Sequence, residues 1–266
     1  MSRTLPAHRP RKRFGQNFLH DPGVIQRIAS VIRPQQGQHL VEIGPGEGAL
    51  TDALIDSGCR LDAIELDRDL IPGLLAAHSL KPGFKLHSAD ALSFDFSTLR
   101  AADGERLRVV GNLPYNISTP LIIRLLGEVG LIHDMHFMLQ KEVVDRLAAA
   151  PGSKLWGRLG ILAQYHCDVE ALFDVPPEAF RPPPKVQSAV VRLAPYSTSP
   201  WPDCNEPELR RVVRAAFAQR RKTLRNNLKG LIDSSRLEAL GIDPGARAET
   251  LALTQFIEMA NAIESA

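Results

Sequence analysis

A short segment, Asn112-Leu113-Pro114-Tyr115, separates an apolar run from a helix-like stretch. Proline cannot donate to a β-ladder and holds the preceding residue in extended geometry, so a strand should end here. The segment then presents a side-chain amide, a backbone carbonyl and a phenol ring, without an acid, a base or a thiol. Two neutral acceptors against the N–H bonds of adenine N6 concentrate the lone pair on that nitrogen, while Tyr115 stacks on an unpaired base. These residue types therefore predict transfer chemistry at an exocyclic amine.

A glycine-rich turn, EIGPGEG from Glu42 to Gly48, follows an earlier apolar run and opens another helix-like stretch. Gly44 and Gly46 allow the backbone to approach a ligand closely. The spacing is GxGxG and differs from the GxGxxG of dinucleotide sites. The acidic residues Glu42 and Glu47 disfavour a pyrophosphate and tolerate the sulfonium and ammonium groups of S-adenosylmethionine. The turn therefore predicts a site for that cofactor.

Acidic and amide side chains follow the next apolar runs. Glu65 stands 21 residues after Gly44 and suits the ribose hydroxyls of a nucleoside. Asp90 suits an adenine amino group, and Asn112 ends the fourth run. Since the carboxyl ends of parallel strands meet at one edge of an open α/β sheet, we expect these side chains around one ligand.

The elements that position these residues alternate between β-branched runs and helical patterns over the first three quarters of the chain. This alternation predicts an α/β, Rossmann-like fold with a seven-stranded, mostly parallel sheet between helices. The last two runs are joined by a loop too short for a crossover helix, so they should form an antiparallel hairpin at one edge. The predicted strands are 39–44, 60–66, 84–88, 107–111, 135–139, 165–173 and 186–193, and the predicted helices include 49–57, 68–78, 119–128 and 142–150.

A change of composition marks a second domain. Residues 195–207 read as a linker, and the rest lacks strand patterning. We predict a methyltransferase-type domain with a basic N-terminal arm over residues 1–196, and a small all-α, RNA-binding domain over 197–266. Its predicted helices are 208–231, 234–240 and 254–263.

Positive charge is concentrated in two segments. Residues 1–20 carry five Lys/Arg and residues 210–232 carry eight, without an acid in either, while the remainder holds 19 basic and 30 acidic residues. Such patches favour a polyanionic partner. The alternatives are a solvated helix face for the second patch and a disordered tail for residues 9–13. The predicted RNA contacts are Arg11, Lys12, Arg13, Arg214, Arg221, Lys222 and Arg225, with Arg214, Arg221 and Arg225 on one face of helix 208–231.

The remaining composition points to a cytoplasmic protein. The sequence lacks an apolar run of membrane-spanning length and an apolar core for a secretory signal. Its three cysteines are far apart, which indicates a reducing compartment without a disulfide framework, and we predict no metal site. We expect a monomer without membrane association.

Four motifs together resemble a known family. NLPY beside EIGPGEG is similar to the adenine-N6 methyltransferases. FGQNFLHD at 14–21 and FRPPPKVQSAVVRL at 180–193 narrow the resemblance to the ribosomal RNA adenine dimethyltransferases, over essentially the full chain. The resemblance implies a class I methyltransferase that transfers four methyl groups to two adjacent adenosines in a hairpin near the 3′ end of 16S rRNA. Its partner would be the immature small ribosomal subunit.

The resemblance also implies roles for individual residues. It assigns contacts with S-adenosylmethionine to Asn17, Leu19, Gly44, Glu65, Asp90 and Asn112, and the catalytic motif to Asn112, Leu113, Pro114 and Tyr115. Phe180 would sandwich the target base against Tyr115.

Three alternatives follow from the same sequence. A large-subunit rRNA methyltransferase of the macrolide-resistance type shares the cofactor and NLPY-like motifs, whereas the PPPKV loop and the basic helical segment favour the small-subunit type. A non-catalytic ribosome assembly factor has no need of Glu65, Asp90 and NLPY. A nicotinamide oxidoreductase would carry GxGxxG, which is absent.

Overall fold

The computed structural model describes residues 16–100 and 104–263. Their strands are β1 (Phe18–Leu19), β2 (His39–Ile43), β3 (Arg60–Glu65), β4 (Phe84–Ser88), β5 (Leu107–Asn112), β6 (Ile132–Gln140), β7 (Cys167–Val175), β8 (Phe180–Arg181) and β9 (Ser188–Pro195). The helices are α1 (Pro22–Ile32), α2 (Ala49–Ile55), α3 (Ile71–His78), α4 (Ser118–Leu126), α5 (Lys141–Leu147), α6 (Arg158–His166), α7 (Glu206–Ala216), α8 (Leu224–Asn227), α9 (Ser234–Ala239) and α10 (Leu253–Asn261).

The predicted sheet is present. Seven strands lie in the order β4-β3-β2-β5-β6-β9-β7, and the pairs among β4, β3, β2, β5 and β6 are parallel. Strand β9 runs antiparallel to β6, with β7 beside it at the edge. Leu40 and Val41 are consecutive in β2 and both fully buried, so both faces of the sheet are covered, as in a doubly wound fold.

Helix α1 is not among the predicted helices, although its start carries a clear signal. The carboxylate of Asp21 accepts a 2.9 Å hydrogen bond from the Val24 N–H, and Pro22 occupies the first turn. Both features are typical of a helix N-terminus. The helix buries Ile28 and Ile32 in a cluster with Leu40 and Leu54.

Close packing between β2 and β5 depends on Gly111. A Cβ atom at this position would lie 2.4 Å from the carbonyl oxygen of Ile43, well inside van der Waals contact. Glycine therefore lets β5 end next to the glycine-rich turn, with Asn112 as its last residue.

The chain divides into two compact units. One holds the described residues up to Val144 together with 170–195, and the other holds 145–169 and 196–263. The predicted boundary at 196 therefore assigned 145–169 to the wrong unit. These residues belong to the second unit because Trp156 and Ile161 pack into its helical core with Leu209 and Phe256.

The predicted helix 208–231 is wrong as a continuous element. Helix α7 ends at Ala216, turns follow, and α8 begins only at Leu224. The side-chain amide of Asn227 donates to the carbonyls of Ala216 (2.6 Å) and Gln219 (3.1 Å). At Ala216 this amide takes the place of the backbone donor that a longer helix would have offered the carbonyl.

Candidate active site

A cavity of about 150 Å³ lies in the first unit, where β2, β3, β4 and β5 end. These four strands are neighbours in the sheet, so their carboxyl ends converge as expected for an α/β ligand site. Ten of the residues predicted from the sequence line this cavity: Asn17, Leu19, Gly44, Gly46, Glu65, Asp90, Asn112, Leu113, Pro114 and Tyr115.

The glycine-rich turn forms one wall of the cavity. Gly44 and Gly46 have φ angles of 68° and 61°, in the region that favours glycine. A Cβ atom on Gly46 would lie 3.0 Å from the ring of Phe18, which lines the same cavity. The turn therefore brings bare backbone to the cavity, and a side chain at Gly46 would collide with the Phe18 ring.

Glu65 lies at the end of β3 and is 6% exposed. Its two carboxylate oxygens accept hydrogen bonds from the backbone N–H groups of Asp67 (2.8 Å) and Gly46 (3.2 Å). Burial raises the pKa of this carboxyl, and the two N–H groups oppose the rise. These bonds hold the carboxylate against the glycine-rich turn, where remaining lone pairs can accept from ligand hydroxyls.

Asp90 follows β4 and is also oriented by the backbone. Its Oδ1 accepts a 2.9 Å hydrogen bond from the Leu92 N–H. The other side of the carboxylate remains available to a donor such as an adenine amino group.

Two cavity residues carry properties that sequence reasoning did not assign to them. Glu42 is 1% exposed and accepts a 2.6 Å hydrogen bond from the hydroxyl of Thr51. Burial raises its pKa to about 7. Leu66 is 47% exposed and offers an apolar surface for a nucleoside base. The signal for Leu66 was its position directly after Glu65 at the end of a strand.

The N-terminal segment of the described chain forms a part of the cavity wall next to the glycine-rich turn. The Gln16 side-chain amide donates a 2.9 Å hydrogen bond to a carboxylate oxygen of Asp67. Phe18 packs with Leu70 and Leu74 beside α3. These contacts hold residues 16–19 against the loop that follows Glu65.

The segment Asn112–Tyr115 is held at three points. The Asn112 Nδ2 donates to the backbone carbonyl of Asn17 (3.0 Å), and the Leu113 N–H donates to the carbonyl of Met138 (3.1 Å). The phenol oxygen of Tyr115 shares a 2.7 Å hydrogen bond with the hydroxyl of Ser188. Because a backbone carbonyl can only accept, Asn112 must turn its NH₂ group towards Asn17, which leaves Oδ1 for another donor.

Phe180 does not line the cavity. It pairs with Leu19 in the two-stranded sheet of β1 and β8, and is 2% exposed within an apolar cluster that includes Leu50 and Val190. The β1–β8 pairing holds the ring in this buried position. Its role in sandwiching the target base against Tyr115 stays a prediction.

The predicted RNA-binding residues fall into two groups. Arg11, Lys12 and Arg13 lie outside the described residues. In the second unit, Arg214, Arg221, Lys222 and Arg225 are all exposed. They do not share one helical face, because the break between α7 and α8 puts Arg221 and Lys222 in turns. We refer to these four residues as the basic cluster.

Two features of the described chain bear on other functions. In residues 16–100 and 104–263, the structure has no group of three or more His, Cys, Asp or Glu that could hold a metal ion. Over the same residues, every helix is too short or too polar to span a membrane.

The mostly parallel seven-stranded sheet, with a glycine-rich turn and acidic residues around one cavity, defines a Rossmann-like methyltransferase. A sequence model of the family described as ribosomal RNA adenine dimethylase matches residues 7–265. The chain therefore belongs to the ribosomal RNA adenine dimethylase family, whose members are S-adenosylmethionine-dependent enzymes that methylate rRNA.

A similar protein is the ribosomal RNA small subunit methyltransferase A of Pseudomonas syringae. It is 60% identical over 256 residues, which cover 96% of this chain and 95% of the relative. Two solved structures share the fold at 24% identity. A dimethyladenosine transferase from Plasmodium falciparum has a TM-score of 0.76, covering 91% of this chain and 95% of its own. The 23S rRNA methyltransferase ErmE has a TM-score of 0.73, covering 94% and 100%.

Proposed function

We propose that this protein dimethylates the N6 atoms of two adjacent adenosines in a hairpin near the 3′ end of 16S rRNA, with S-adenosylmethionine as methyl donor. Its partner is the immature small ribosomal subunit. The observation that carries the proposal is the Asn112–Tyr115 segment at the wall of the cavity, in a chain 60% identical to a small-subunit rRNA methyltransferase.

The cavity residues fit the cofactor. The backbone at Gly44 and Gly46 comes close to the ligand, Glu65 accepts from the ribose hydroxyls, and Asp90 accepts from the adenine amino group. The apolar side chain of Leu66 packs against the base. When bound, S-adenosylmethionine supplies a methyl group made electrophilic by its sulfonium, and the carboxylate of Glu65 suits that positive charge.

Asn112 and the Leu113 carbonyl act on the target amine. Asn112 Oδ1 faces away from its anchor at Asn17 and accepts from one N6–H bond. The hydrogen bonds found in this turn use the carbonyls of Pro114 and Tyr115, so the Leu113 carbonyl can accept from the other N–H bond. These acceptors draw the lone pair onto N6, and alignment would then permit direct displacement. The N6–methyl bond would form as the sulfonium–methyl bond breaks to leave a neutral thioether, and one N6 proton would pass to solvent. After the first transfer one N–H bond remains, so the second transfer engages one acceptor.

The two units divide the work between chemistry and docking. The first unit, which carries the cavity, binds the cofactor and the target base. The second unit holds the basic cluster, which contacts rRNA phosphates without reading bases. The protein acts as a monomer in the cytoplasm, where ribosomal subunits are assembled.

The test is to incubate the protein with labelled S-adenosylmethionine and ribosomal subunits that lack these methyl groups, and to map the labelled bases. We expect label on two adjacent adenosines of the small subunit. Label on large-subunit rRNA would instead support a 23S rRNA methyltransferase, the activity for which ErmE is named. An absence of label in both subunits, with retained subunit binding, would support a non-catalytic assembly factor.

A further inference from the structure

Ser188 opens β9 within the motif FRPPPKVQSAVVRL and has no assigned role. Its side chain is fully buried, and its hydroxyl lies 2.7 Å from the phenol oxygen of Tyr115. Tyr115 lines the cavity and is only partly buried, so the bond joins a core residue to a residue of the active site.

The two partners differ in how firmly the backbone holds them. Ser188 pairs with Gln140 in the β6–β9 ladder, and the adjoining Gln187 carbonyl accepts a 2.9 Å hydrogen bond from the Lys141 N–H. Tyr115 lies in the turn between β5 and α4, outside any ladder. The hydroxyl of Ser188 is thus a fixed point on the sheet for a ring carried by a loop.

We propose that Ser188 is a positioning residue for methyl transfer, and that its hydroxyl fixes the direction of the Tyr115 ring on which the target adenine stacks. This inference rests on the proposed function. A tyrosine ring turns about two side-chain torsions, and its phenol oxygen lies on the axis of the second. A hydrogen bond to that oxygen therefore restricts the first torsion, which sets the direction of the ring's long axis. Residues that support an active-site group in this way narrow its geometry without touching the substrate.

The chemistry of the pair is consistent with this role. Burial raises the pKa of the Tyr115 phenol, so the hydroxyl stays protonated at neutral pH and the pair keeps its shared hydrogen bond. A second serine, Ser118, also bonds to Tyr115 but does not hold its ring. Its Oγ donates a 3.2 Å hydrogen bond to the backbone carbonyl of Tyr115.

Ser188→Ala and Tyr115→Phe remove the same hydrogen bond from its two sides, so the test is a double-mutant cycle. We measure kcat and KM on undermethylated small subunits, and the Kd of S-adenosylmethionine. Each single variant should lower kcat/KM for the subunit by roughly 3- to 10-fold, the size of one hydrogen bond, with the cofactor Kd unchanged. The double variant should be no worse than either single variant.

Ser118→Ala is the matched control, because Ser118 is a nearly fully buried serine whose partner, the Tyr115 carbonyl, is retained in Tyr115→Phe. The fold-loss of kcat/KM in Ser118→Ala should multiply with the fold-loss in Tyr115→Phe when the two substitutions are combined. Independent, multiplying effects of Ser188→Ala and Tyr115→Phe, or wild-type kinetics of Ser188→Ala, would overturn the proposal.

The test can still be decided if a variant fails to fold. If Ser188→Ala is unfolded at the assay temperature, Tyr115→Phe alone decides, since it keeps both the ring and Ser188, and wild-type kinetics of that variant would overturn the proposal. A wild-type protein that does not methylate small subunits rejects the proposed function instead. An active wild type with multiplying effects rejects only the role of Ser188.

Discussion

The side-chain amide of Asn112 donates a 3.0 Å hydrogen bond to the backbone carbonyl of Asn17, a residue 95 positions earlier in the chain. The bond joins the end of β5 to the N-terminal segment, and both line the same cavity. It also determines which atom of the amide is left for the substrate, because the Asn17 carbonyl cannot donate. The contact thus links the N-terminal part of the cavity wall to the acceptor that we assign to the target amine.

Asn112→Ala should lower the rate of methyl transfer by on the order of 100-fold or more, since one acceptor in a prearranged site is lost. Asn112→Asp should be impaired as well, because a carboxylate has no proton to donate to the Asn17 carbonyl. Single-turnover methylation of undermethylated small subunits measures both rates. Thermal unfolding should show folded variants, and a near-wild-type rate in Asn112→Ala would remove Asn112 from the mechanism.

Glu65→Ala should weaken S-adenosylmethionine binding by roughly 1.5–3 kcal/mol, the size of hydrogen bonds to a charged acceptor. Affinity for rRNA without cofactor should hardly change. Titration calorimetry measures the cofactor affinity. Glu65→Gln is the conservative comparison and should lose less, because an amide oxygen still accepts. Unaltered affinity in Glu65→Ala would exclude the ribose assignment.

Replacing Arg221, Lys222 and Arg225 with Ala should raise the KM for the ribosomal subunit and flatten the salt dependence of binding, because fewer phosphates are neutralised. Cofactor affinity should stay constant, since the cavity belongs to the other unit. Binding across a salt series measures the effect.

A matched control removes three exposed cations from the first unit, namely Arg60, Lys81 and Lys85. This variant has the same change in net charge and should keep the wild-type salt slope. Equal slopes and equal KM values for all three proteins would mean that the basic cluster is only a solvated surface.

The free energy of unfolding should depend on the ionisation of Glu42. Burial raises the pKa of this carboxyl from 4.5 to about 7, so the folded state prefers its protonated form. Protonation of Glu42 therefore adds to the free energy of unfolding. This stabilisation is complete below about pH 4.5, falls as the pH rises towards 7, and is lost above that value. Its size is on the order of 3 kcal/mol.

Glu42→Gln mimics the protonated form and should therefore be more stable than the wild type at pH 8, and similar to it at pH 4.5. Denaturant unfolding at these two pH values measures the difference. Glu47→Gln, at an exposed position in the same turn, is the control and should change little. Parallel pH profiles for the wild type and Glu42→Gln would contradict the burial argument.

The sequence by itself determined the sheet and which residues meet around the cavity. Each of the seven predicted strands is present. They could be predicted because the length and spacing of apolar runs in the sequence distinguish buried strands from helices. The positions of Gly44, Glu65, Asp90 and Asn112 at strand ends were sufficient to bring them together, since parallel neighbours in a sheet share one edge.

Only the tertiary structure decided the features that depend on contacts between distant segments. Three features depend on such packing, which the local spacing of residues does not reveal. They are the packing of Trp156 in the core of the helical unit, the end of α7 at Ala216 and the burial of Phe180 beside Leu19. The same holds for the bonds from Asn112 to Asn17 and from Tyr115 to Ser188. A motif specifies which groups are present, whereas the direction in which they point depends on partners that the fold brings from elsewhere in the chain.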